Sequence, residues 1–92
     1  MLSQALQRAT ELVLRDQNKW YYLFNLALLR VAAGDADGAE QMYIFSLQKY
    51  PPVNVLDAVL KAQNIYLDSF PEDELMSRMR KYVLAARGKA ET

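Results

Sequence analysis

Residues 20–33, WYYLFNLALLRVAA, hold twelve apolar side chains in fourteen, broken only by Asn25 and Arg30. No other stretch constrains the fold as tightly. The run is shorter than the roughly 18–20 apolar residues that a membrane span needs. Wound as a helix it is apolar almost all round, so it must be covered on both sides by neighbours. The rest of the chain offers such neighbours. No segment alternates with period two for long, and only three glycines and three prolines punctuate 92 residues. The pattern predicts an all-α protein of about five antiparallel helices.

The first helix is expected over 3–15, where Leu2, Leu6, Ala9 and Val13, flanked by Ala5 and Leu12, make one apolar face. The second covers 19–33 and stops at Gly34, where a left-handed C-terminal residue is wanted. The third begins after Asp35 or Asp37, either of which suits an N-cap, and ends near Tyr50 before Pro51 and Pro52. Its packing side is read as Ala39, Met42, Tyr43, Phe45, Ser46 and Leu47. The fourth spans 53–69. The fifth opens around Pro71, with Ser69 or Phe70 as its cap, and a loose, flexible tail is expected over 88–92.

Composition removes whole classes of chemistry. There is no cysteine and no histidine, so disulfides, Cys/His zinc sites and every imidazole or thiolate mechanism are excluded. Eleven basic and eleven acidic residues give zero net charge, which argues against a nucleic-acid or anionic-membrane binder. The first residues carry no basic segment before an apolar one, so no signal peptide is read and the expected location is cytoplasmic. Asp35, Asp37 and Gly38 look like part of a calcium loop, but Ser46 stands where the bidentate Glu belongs. A turn and a helix cap explain them. Glu72, Asp73 and Glu74 fit a helix start, and the run from Arg78 to Lys81 fits a solvated face. No phosphate-binding glycine loop and no carboxylate pair set among apolar residues is present. No catalytic residue, metal site or cofactor is expected.

Leu26, Ala27, Gly34, Asp35, Ala39, Tyr43, Ser46 and Pro51 follow one another at the spacing of a single 34-residue helix–turn–helix unit. On these residues, 20–53 resembles the tetratricopeptide repeat family. The small residues Ala27, Ala39 and Ser46 stand where two helices cross closely. The period extends backward, since Ala5 lies 34 residues before Ala39 and Ala9 34 before Tyr43. Residues 1–17 then read as half a repeat and 54–87 as a degenerate one, with Ser69, Phe70 and Pro71 in place of Gly-Asp. Together they make one domain over 1–87. The family places an aromatic or Leu where Arg30 stands, and a bulky tryptophan-like residue where Leu23 stands.

The resemblance implies a concave surface lined by the first helix of each unit. Carried onto this chain, that surface holds Tyr21, Phe24, Asn25 and Leu28, then Ala58 and Ala62 from the degenerate unit. Tyr21, Phe24 and Leu28 would anchor an apolar partner, and Asn25 would meet backbone polarity. Members that grip acidic C-termini use Lys and Asn at positions where Phe24 and Leu28 stand here, so such a clamp is not implied. The expected function is a non-enzymatic protein–protein interaction module or scaffold, binding a peptide or helix of another protein. The alternative is a self-associating structural repeat unit, expected either as a homodimer or as a fragment of a longer array, because the half repeat lacks its own first helix.

Overall fold

The computed structural model describes residues 1–91. Five helices run in chain order: α1 (Leu2–Arg15), α2 (Trp20–Ala32), α3 (Ala36–Leu47), α4 (Val53–Ser69) and α5 (Glu74–Glu91). No strand occurs among the described residues, and the fold is all-α. None of these helices is long and apolar enough to cross a membrane. The chain divides into two compact units, Met1–Ser46 and the residues from Leu47 onward. This division falls at the end of α3, inside the segment 20–53 read as one repeat.

In the first unit α1 packs along α2. Of α1 only Ala9 is fully buried. Ala5, Leu6, Leu12 and Val13 are half-buried, and Leu14 is 73% exposed. The apolar face of α1 is therefore covered along its centre and open at its flanks. Helix α2 carries the core, with Leu23, Phe24, Leu26, Ala27 and Val31 buried. Each large side chain buried this way contributes about 1.5–3 kcal/mol.

The α2–α3 turn is encoded locally. Gly34 takes φ 78. Its N–H bonds the Val31 carbonyl at 2.9 Å, and the Asp35 N–H bonds the Arg30 carbonyl at 3.0 Å. These two bonds form a Schellman motif, whose left-handed residue glycine supplies without a Cβ penalty. Asp35 then caps α3, accepting the Gly38 N–H on Oδ1 at 3.0 Å. A Cβ on Gly38 would run into the Asp35 carboxylate. Arg30 reaches across and donates from Nη1 to the Gly38 carbonyl at 3.2 Å. The cation that departs from the family pattern thus ties the end of α2 to the first turn of α3.

Helix α3 buries Gly38, Ala39, Met42, Tyr43 and Ser46. The Ser46 hydroxyl donates to the Met42 carbonyl at 2.7 Å, which satisfies it inside the core. Two expectations for α3 are corrected. Phe45, expected on the packing side, is 41% exposed beside Ile44 at 40%, so it is covered only in part. The helix ends at Leu47, not near Tyr50, because Tyr50 turns to φ 56 while its N–H bonds the Leu47 carbonyl at 3.1 Å.

In the second unit α4 packs on α5, and the buried residues are Leu56, Val59 and Gln63 of α4 and Met76, Met79 and Val83 of α5. The cap of α5 is Asp73, not Ser69 or Phe70. Its Oδ1 accepts the Met76 N–H at 3.0 Å, and Pro71 and Glu72 form the preceding turn. The acidic residue nearest the first free amides takes the cap, since an N-cap oxygen must reach the N–H two or three residues on. Helix α5 also continues through Gly88 to Glu91 where a loose tail was expected. Arg87 bonds both Asp57 of α4 and Glu91 one turn on, which holds the last turn of α5. Residue 92 lies outside the described residues.

Candidate partner-binding surfaces

The burial pattern of α2 leaves one stripe uncovered. Leu23, Phe24, Leu26, Ala27 and Val31 occupy one broad side. On the other, Tyr21, Asn25, Leu28 and Ala32 follow at spacings of four, three and four residues, one straight line along a helix. Tyr21 is 74% exposed, Asn25 and Leu28 are half-buried, and Ala32 is exposed. The stripe is apolar except for one carboxamide at its centre. Tyr21 meets the Tyr22 ring edge-on at 6.2 Å, and the Lys19 ammonium sits 5.7 Å from the Tyr22 centroid. The aromatic end of the stripe is thereby fixed next to a cation.

Phe24 does not join this surface. It is 7% exposed, with its ring 6.1 Å from Tyr43 and 6.4 Å from Trp20. The anchor expected there is a core side chain, held by the α3 aromatic that the repeat pattern itself contains. Its place one position before Asn25 turns it toward the covered side of the helix, a 100° step that decides burial.

Ala58 and Ala62 are both exposed on α4, one turn apart. Ile65, 61% exposed, continues their line. The six candidate residues therefore divide between the units: Tyr21, Asn25 and Leu28 on the free stripe of α2, Phe24 behind it, and Ala58 and Ala62 on a free stripe of α4. Ile44 and Phe45 add an apolar pair on α3 that sequence reasoning placed partly in the core. The spacing from Met42 to Phe45 fits a packing face, and only the position of α2 shows which side α3 buries.

The polar chemistry of the second unit gathers at its turn. The Tyr66 hydroxyl donates to Asp73 Oδ2 at 2.6 Å, and the Tyr66 ring lies 4.9 Å from that of Phe70. Desolvation, followed by the bond and the charge of Asp73, pushes the Tyr66 phenol up to about 12. The phenol is thus kept as a donor. Phe70, Pro71, Glu72 and Asp73 line a shallow open depression here. Both Asp73 oxygens are engaged in holding the turn. Among the described residues no group of three or more acidic side chains is placed to hold a metal ion. Comparison with family models, curated proteins and solved structures yields no match.

Proposed function

We propose that this chain is a non-enzymatic protein–protein interaction module built of tetratricopeptide-like helical hairpins, acting as an adaptor or scaffold in the cytoplasm. The observation that carries the reading is the free stripe of α2. A helix that supplies most of the first unit's core presents Tyr21, Leu28 and Ala32 outward, where solvated helices place charges. An apolar line with one amide suits an amphipathic helix, or an extended peptide whose backbone meets Asn25. Neutral overall charge favours a protein partner over nucleic acid or membrane, and no cofactor enters the mechanism.

The test is photo-cross-linking in cell extract from a probe residue at position 21, alone and with Leu28→Glu. A protein captured from position 21 and lost with Leu28→Glu, with helicity unchanged by circular dichroism, supports the reading. Capture that persists with Leu28→Glu places the partner elsewhere and ends the assignment. The second reading, self-association, is favoured by α1, whose flanks and Leu14 stay open. Light scattering over a hundredfold concentration range separates the two. A constant mass of one chain removes self-pairing, and a mass that doubles and returns to one chain with Leu14→Lys supports it.

A further inference from the structure

Two polar side chains are fully buried among the described residues, Ser46 in the first unit and Gln63 in the second. They are in opposite states. Ser46 donates to the Met42 carbonyl of its own helix at 2.7 Å. Gln63 lies one turn beyond Val59 on the central buried line of α4, and neither its Oε1 nor its Nε2 has a hydrogen-bond partner. A carboxamide presents two N–H donors and a carbonyl acceptor, all of which bond water in the unfolded chain. Enclosing them without replacement penalises the closed hairpin relative to any state that wets them.

Three links run from α4 to α5 or its cap without reaching this carboxamide. Tyr66 bonds Asp73 at the turn, Arg80 donates to Asn64 Oδ1 at 2.7 Å on an exposed edge, and Arg87 meets Asp57 far from the turn. The links through Arg80 and Arg87 lie on exposed edges and contribute little each, while the part-buried Tyr66–Asp73 bond holds the turn. The apolar side chains buried on these two helices are few: Leu56, Val59, Met76, Met79 and Val83.

We infer that α4–α5 is a unit poised to open on its own, with Gln63 as the residue that sets its threshold. Opening returns the carboxamide to water while Met1–Ser46 stays folded. The unpaired amide raises the open population without altering the closed structure, and places the second unit at the low end of the stability range found within one protein.

Hydrogen exchange followed by mass spectrometry on the full chain tests this, with wild type, Gln63→Leu and Gln63→Met compared at one pH and temperature. In the wild type, the slowest amides of α4 and α5 exchange faster than those of α2. Either apolar variant slows α4–α5 exchange on the order of tenfold to a hundredfold, with α1–α3 unchanged. Methionine keeps the unbranched shape, so the result does not depend on leucine fitting. Exchange of both units at a common rate in the wild type overturns the inference. So does exchange in α4–α5 that is unchanged or faster in both variants.

Discussion

The α2–α3 and α4–α5 turns solve one problem in two ways. Each ends a helix, reverses direction and starts the next helix on an aspartate cap, Asp35 in one and Asp73 in the other. In the first turn the backbone itself closes α2, with Gly34 left-handed and two Schellman bonds, and Arg30 reaches across to the Gly38 carbonyl. The second has no glycine. It sets Pro71 and Glu72 in the turn, holds the Phe70 ring tilted against that of Tyr66 and ties the Tyr66 hydroxyl to the second oxygen of its cap. The difference shows where the information lies. One turn is stated by adjacent residues, Gly34 and Asp35, with Arg30 added across it, and the other by a tyrosine and an aspartate seven positions apart, with no glycine between them.

This comparison ranks the caps. Asp73→Ala removes a cap and leaves the Tyr66 hydroxyl without its acceptor, so it costs about 2–3 kcal/mol in urea denaturation. Asp35→Ala removes a cap alone and costs about 1 kcal/mol. Equal costs for the two would break the distinction. Between them stands Gly34→Val, about 1–2 kcal/mol, because a β-branched residue resists φ 78.

The same distinction explains what the sequence displayed. The end of α2 and the start of α3 were legible because Gly and Asp state the backbone conformation they adopt. The start of α5 was not, since Ser69 and Phe70 were also read as caps, whereas the capping bond joins Asp73 to the Met76 N–H. The candidate surface divides likewise. Tyr21, Asn25 and Leu28 follow from the helical line, whereas the burial of Phe24 depends on Tyr43, nineteen residues away. Gln63 falls four residues after Val59 and seven after Leu56, on the buried line of α4, but a polar residue between Lys61 and Asn64 reads as surface, and nothing in the sequence shows its amide without a partner.

The Tyr66–Asp73 bond gives the second turn a pH dependence that the first lacks. The folded phenol titrates near 12, above the unfolded value of about 10. A raised folded value means the stabilisation is complete below pH 10 and is lost as pH rises through 12. Chemical denaturation of wild type should show a decline over that interval which Tyr66→Phe reduces. At neutral pH that substitution costs about 0.5–1.5 kcal/mol. A decline of the same size in the variant would assign the alkaline loss to other groups.

The smallest effect comes from a second left-handed residue. Tyr50, after α3, takes φ 56 with its side chain 90% exposed, so it has the backbone of Gly34 without the residue that favours it. Little packing is at stake there. Tyr50→Gly relieves about 1–2 kcal/mol of left-handed strain and adds about 0.5–1 kcal/mol of unfolded-state entropy. The net gain is about 0.5 kcal/mol, read as a higher urea midpoint at unchanged slope. Its opposite sign to Gly34→Val makes the pair a reciprocal test. If both substitutions destabilise, the strain at Tyr50 is smaller than the entropy glycine brings, and the end of α3 is held by Pro51 and Pro52 rather than by its left-handed residue.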